Sequence, residues 1–204
     1  MLKKHAILIS TGLSIIFIVI ATLLYPGGSI YDANSVGFDW TKNFMSNLFG
    51  EKALNGADNP ARIWAFIGMI FHSLTYMLFF INVSTKIPHQ GSAKIVKYLG
   101  LSNLIFIVLI ATPLHDLMLP ITSTIFLAGL FYITVFVLKS RLTVFKFLCV
   151  ICLLLYYVTI ALYGFGYVEL LVIMQKVTFL FSLVLILGLE YYTTKEDFLP
   201  KQQS

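Results

Sequence analysis

At 204 residues, 59% hydrophobic and 11% charged, with a formal net charge of +5, the chain carries too few ionisable side chains to clothe a soluble domain. Its mean hydropathy is +0.90, and about 120 apolar residues would supply roughly six membrane spans of ~20 residues each. Those figures exclude a cytosolic or nuclear globular enzyme, a disulfide-stapled secreted module and a disordered chain, and the long apolar runs exclude a β-barrel, whose strands alternate over ~10 residues.

The first apolar run covers 6–24 and follows Lys3, Lys4 and His5. A short basic start imitates a signal peptide, but the run is close to span length and no A-x-A-like cleavage site follows, so a retained signal-anchor helix is expected. YPGGS, from Tyr25 to Ser29, then ends the helix with a turn. In GFDWTKNFMSNLFG, from Gly37 to Gly50, Asp39 suits an N-cap and Gly50 the position after a helix end. At 100° per residue Trp40, Phe44, Met45, Leu48 and Phe49 share one face, and Lys42, Asn43, Ser46 and Asn47 the other, which predicts a short amphipathic helix. Such a helix is either an interfacial anchor or a lid whose Asn43, Ser46 and Asn47 form hydrogen bonds toward the bundle. GADNPAR, from Gly56 to Arg62, reads as the turn into the second run, with Arg62 placed to hold a lipid phosphate.

The second run, 63–83, holds His72 near the midplane, with Ser73 beside it and Tyr76 one turn on along the same face. The third covers 99–112 and extends toward Asp116, closing on Pro113, His115 and Asp116 ahead of Pro120; 121–138, 147–163 and 170–189 complete the six. Cys149 and Cys152 have a C-x-x-C spacing that in a soluble protein suggests redox or metal chemistry. In hydrocarbon a thiolate is penalised and two cysteines are half a zinc site, so they are read as packing residues. Glu169 opens the sixth run and Lys176 lies two turns deeper, where a charge costs ~3 kcal/mol unless it snorkels or finds a partner.

Ten basic residues (Lys3, Lys4, Lys86, Lys94, Lys97, Lys139, Arg141, Lys146, Lys195 and Lys201) fall on one side of these spans, and Lys42, Lys52 and Arg62 on the other. The positive-inside bias places both termini in the cytoplasm. The expected fold class is therefore all-α, a polytopic bundle of six transmembrane helices in one domain over 1–204, with a short amphipathic helix in the first extracytoplasmic loop. The expected location is a bacterial cytoplasmic (inner) membrane. Positive charge without a basic stripe and interleaved aromatics gives no reason to expect nucleic acid as a partner.

The polar residues His72, His115, Asp116, Glu169 and Lys176 all belong to the outer half, with nothing comparable in the inner half. Together with Asn43, Ser46, Asn47 and Tyr76 they suggest an outward-facing pocket for a lipid or other amphiphile, the alternative being a helix-packing network of hydrogen bonds worth ~0.6 kcal/mol each. Membrane lipids are the partners expected, and no protein partner is indicated. No catalytic or metal-ligating set is assigned and no cofactor is implied, since no H-E-x-x-H or similar spacing is present. A metal- or acid/base-dependent intramembrane lipid hydrolase using His72, His115 and Asp116 is the rival function, and a small-solute transporter component the second.

Three of these features also carry a resemblance. Ser46-Asn47-Leu48-Phe49-Gly50 in an aromatic-rich outer loop, Asn59-Pro60 leading into the second span, and Pro113, His115 and Asp116 closing the third resemble a bacterial six-span family of unknown function, related in general layout to the FRAG/DRAM/SFK-type membrane proteins. The resemblance implies six helices with cytoplasmic termini, and the eukaryotic relatives suggest roles in lipid or GPI-anchor handling; it brings no established reaction.

Overall fold

The computed structural model describes residues 2–110, 112 and 114–199; the side chains of residues 2–4, 107–108 and 115–116 lie outside that description. Among the described residues the chain forms six long α-helices, α1 (Leu2–Leu24), α2 (Ala61–Ser84), α3 (Gln90–Leu109), α4 (His115–Lys139), α5 (Thr143–Phe165) and α6 (Val168–Tyr191), with short 3-10 turns at Met45–Phe49 and Glu196–Phe198. Segments 5–24, 61–84, 117–139, 143–165 and 168–191 are long and apolar enough to cross a membrane. They fit a multi-pass membrane protein, in which helices are the form that satisfies every backbone group within the segment. The first half of α3 carries Gln90, Ser92, Lys94 and Lys97, so its apolar part runs only from Leu99.

Successive helices pack as neighbours, and α6 closes back on α1 and α2. The ring of His5 stacks on Tyr191 with centroids 6.4 Å apart, which brings the start of α1 to the end of α6. The bundle thus has a terminal end and a loop end, the latter capped by the segment between α1 and α2. The densest apolar core lies toward the terminal end, where Phe79, Phe80, Val83, Leu130, Ile133, Ile186 and Leu189 are almost completely buried. Cys149 and Cys152 are free and buried in the same core. Phe80 lodges where α3 and α4 present glycines: a Cβ on Gly129 would stand 2.2 Å from its ring, and one on Gly100 2.3 Å from its own Cβ.

Two expectations are corrected. His115 and Asp116 do not close the third helix; α3 ends at Leu109, and both residues begin α4. Leu117 and Met118 donate to the Leu114 carbonyl, so the chain turns and restarts ahead of Pro120, which sits within the second turn of α4. Nor is 39–49 an amphipathic α-helix. Its helical part is the five-residue 3-10 turn Met45–Phe49. Asn side chains take the backbone groups that an α-helix would use: Asn43 Oδ1 accepts from the Asp39 amide at 2.9 Å and Asn47 Oδ1 from the Phe44 amide at 2.7 Å.

The close approach of Phe80 to Gly129 predicts an overpacking penalty of about 1–3 kcal/mol for Gly129→Val. Unfolding in detergent should show the lowered midpoint, with Gly164→Val, where a Cβ meets nothing within 4 Å, as the unaffected control.

Candidate functional site

Residues 25–60 fold as a cap built on side-chain-to-backbone hydrogen bonds. Gly28 has φ +81° and no room for a side chain, since a Cβ there would meet the Asn55 nitrogen at 2.2 Å. Its carbonyl accepts from Asn43 Nδ2 at 2.8 Å. Asn59 Nδ2 donates to the Leu48 and Gly50 carbonyls at 3.1 and 2.9 Å, and the Tyr25 hydroxyl accepts from the Leu54 amide at 3.0 Å. Beneath these bonds Tyr25, Leu48, Phe49 and Ala53 pack on Ala21, Ala61 and Ala65 of α1 and α2. Thr41 donates to Asp39 through its hydroxyl and its amide, and both bonds, with Lys42 nearby, hold the Asp39 carboxyl below its ordinary value. Arg62 pairs with Glu51 at 3.0 Å, so its guanidinium is engaged within the cap.

Two consecutive residues of α6 fasten this cap over the bundle. Gln175 Oε1 accepts from the Met45 amide at 3.1 Å. Lys176 Nζ donates to the Asn43 carbonyl at 2.7 Å and to the Val172 carbonyl at 2.9 Å, and sits 6.0 Å from the centroid of the Phe38 ring. An ammonium at this depth has thereby exchanged water for two carbonyls and an aromatic face.

Under the cap lies a cavity of about 510 Å³ walled by all six helices and roofed by Phe44, Met45, Ser46 and Phe49. An aromatic layer of Tyr76, Phe126 and Tyr156 separates it from the apolar core, with ring centroids 4.9 Å apart between the first two and 4.7 Å between the last two. Below and beside the cavity, hydroxyls bond across helices, Tyr76 to Ser182 at 2.5 Å and Thr159 to Thr178 at 2.9 Å. Other polar side chains among the lining residues are not bonded in this way. Ser14 Oγ, His72 Nδ1 and both side-chain polar atoms of Asn103 are buried without a hydrogen-bond partner among the described residues, as is Glu190 Oε2 at the terminal end. The His72 ring is stacked at 4.8 Å on Phe179 and lies 4.5 Å from Tyr76. By helix rise, Ser14 and His72 lie about 15 Å and Asn103 about 9 Å from the loop ends of their helices.

Of the residues expected at a pocket, Ser46, His72 and Tyr76 line this cavity. Asn43 and Asn47 instead hold the cap's backbone, and Lys176 binds the cap from beside the cavity. Glu169 is exposed on the first turn of α6 and does not pair with Lys176, which turns to the Asn43 carbonyl. The side chains of His115 and Asp116 lie outside the described residues. Among the described ones, no group of three His, Cys, Asp or Glu side chains is placed to hold a metal ion.

Ser14, Asn103 and Gln175 escaped the sequence reading. Asn103 carried a signal, an amide within an apolar run, which at membrane depth is costly; Ser14 carried none, since serines at helix interfaces are common in membranes.

The terminal end also differs from the expectation of a purely apolar inner half. Asn82 Nδ2 donates to Glu190 Oε1 at 3.0 Å. Lys86 Nζ donates to the Leu189, Glu190 and Thr193 carbonyls at 2.8, 2.9 and 3.0 Å, capping the C-terminus of α6. Burial pushes the Lys86 ammonium below its ordinary value, opposed by Glu190 and Asp197.

Because Lys176 is the charged clasp of the cap, Lys176→Met should loosen it by about 1.5–3 kcal/mol, the worth of hydrogen bonds from a charged group. Hydrogen exchange should quicken at the amides of residues 43–49 while the core of α2 keeps its protection. Comparison of the chain with protein-family models, curated proteins and solved structures gives no match, which leaves the cavity's own chemistry to speak for its use.

Proposed function

We propose that this chain is a six-span protein of a bacterial cytoplasmic membrane, akin to the six-span family it resembles, and that it binds a lipid or other amphiphile in the capped cavity. The observation that carries this reading is that Ser14, His72 and Asn103, which hold buried polar atoms without a partner among the described residues, are all among the residues lining a space otherwise walled largely by apolar and aromatic side chains. A buried polar group without a hydrogen bond costs about 1–3 kcal/mol, and three residues that carry such groups around one cavity are explained by a ligand that bonds them. A space of this size with a few convergent polar groups has the form of a small-molecule site.

Six crossings are supported by connectivity. α2 descends from the loop end to the terminal end and α4 does the same, so α3 between them brings the chain back. The basic residues at the terminal end, including Lys86, Lys94, Lys97, Lys139, Arg141 and Lys146, support a cytoplasmic placement of that end. The cap and the cavity then face the outer leaflet.

The reading is tested by native mass spectrometry of the protein released from mild detergent. The wild type should keep a co-extracted lipid, and Asn103→Leu, which keeps the branched shape but cannot form hydrogen bonds, should lower its occupancy about tenfold, the equivalent of ~1.4 kcal/mol. Equal occupancy in both proteins, with unfolding midpoints unchanged, counts against a ligand in this cavity.

A further inference from the structure

Among the described residues that line the cavity, four are exposed, and all four lie on two adjacent helices: Pro120 and Thr124 on α4, Ile160 and Tyr163 on α5. Pro120 and Thr124 are one turn apart, as are Ile160 and Tyr163, so each pair forms one strip on its helix. The lining residues on α1, α2, α3, α6 and the cap are buried or half-buried. α5 is also the helix least enclosed by protein, with 11% of its apolar window buried against 39% for each of the other four apolar spans. Ile160 is 38% and Tyr163 44% exposed. The cavity therefore opens sideways, about 3–14 Å by helix rise from the loop ends of α4 and α5, while the loop end of the bundle is roofed by a cap that Gln175 and Lys176 hold down.

The chemistry of the wall limits what can occupy it. No Asp, Glu, Lys or Arg is among its described residues. Lys176, on α6 beside it, is spent on two carbonyls. Among the described wall residues a phosphate or carboxylate taken into this space would meet no Lys or Arg counter-charge, and a buried charge left so is heavily penalised. Asn103 offers both an amide donor pair and a carbonyl acceptor, and Ser14 a hydroxyl, so the wall both gives and accepts hydrogen bonds. Its complement is a group that also does both, a hydroxyl or an amide, whereas a carboxylate or a phosphodiester head only accepts.

Resting on the amphiphile reading above, we infer that the ligand is an uncharged lipid bearing a hydroxyl or amide head, taken in from the bilayer through the gap between α4 and α5. A space of about 510 Å³ has the size of a site for a drug-sized molecule, which suits the head and the upper part of a chain whose remainder stays in the gap.

The test uses the full chain reconstituted in phosphatidylcholine vesicles containing a trace of diacylglycerol with a photoactivatable diazirine in one acyl chain. Irradiation should label α4 and α5 around Thr124 and Ile160. Excess unlabelled diacylglycerol should suppress that labelling about tenfold or more, while phosphatidic acid with the same chains should leave it within about twofold. Narrowing the gap with Thr124→Trp and Ile160→Trp should slow labelling at His72 and Asn103 peptides without lowering the unfolding midpoint. Competition by phosphatidic acid equal to that by diacylglycerol, with labelling still lost in Asn103→Leu, overturns the uncharged head and keeps an amphiphile in the cavity. Unchanged labelling of the cavity peptides in the tryptophan variant overturns the sideways route. Labelling that no lipid competes away and that Asn103→Leu does not alter overturns the amphiphile reading itself.

Discussion

A polar atom at the depth of acyl chains has no water to bond, so it must find a partner within the protein or face a space that something polar fills. Most hydroxyls in these helices take the first course by turning back on their own backbone: Thr11 donates to the Ile7 carbonyl, Ser73 to Met69, Thr75 to Phe71 and Thr134 to Leu130. Others reach a neighbouring helix, as Ser10 does to the Phe71 carbonyl and Tyr76 to Ser182. Against that background the atoms of Ser14, His72 and Asn103 that are unbonded among the described residues stand apart, because these three residues line one cavity, whereas the other such atom, Glu190 Oε2, lies at the terminal end. The same constraint bears on both halves of the molecule, a mainly bonded and closely packed scaffold at the terminal end and a wall of mixed apolar and polar side chains beneath the cap.

The cap obeys a different rule because its surroundings are mixed. Its backbone is tied by asparagines at 43, 47 and 59, whose short amide side chains replace the helical ladder that 39–49 would otherwise form. Its apolar side chains pack on alanines of α1 and α2, where the absence of bulk lets the loop approach. Among the described residues α6 bonds it to the far side of the bundle through Gln175 and Lys176, and the charged partner makes the stronger of the two bonds. A clasp that bonds main-chain atoms of the cap depends on the cap's shape rather than on the chemistry of its side chains.

At the other end, rigidity comes from close approach. Phe80 fits against two glycines, Phe79 and Leu130 fill the space around it, and Lys86 closes the carbonyls that α6 leaves open at its end. In a membrane, where lipid tails are as apolar as side chains, such shape fitting and interhelical bonding carry what the hydrophobic effect supplies in water. A firm half-bundle keeps α2, α3 and α6 in register, and with them the polar atoms that each contributes to the cavity wall.

Composition and the spacing of apolar runs were enough for membrane helices, because burial in hydrocarbon acts on each segment separately and leaves its mark on each. The turn at Tyr25–Ser29 and the singular positions of His72 and Lys176 were legible for the same reason, each being a local departure from local chemistry. The end of α3, the assignment of His115 and Asp116 to α4, and the 3-10 form of Met45–Phe49 depended on competition between hydrogen-bonding partners, which a periodicity cannot weigh. The company kept by each polar residue was hidden further still. Asn43 went to the cap, Glu169 to the exposed surface, and Ser14 and Asn103 to the cavity, although all four are polar and their chain neighbours do not say which partner each will meet. Convergence joins residues nearly ninety positions apart through the rotation of each helix about its own axis, and that rotation is chosen by packing among all six helices together.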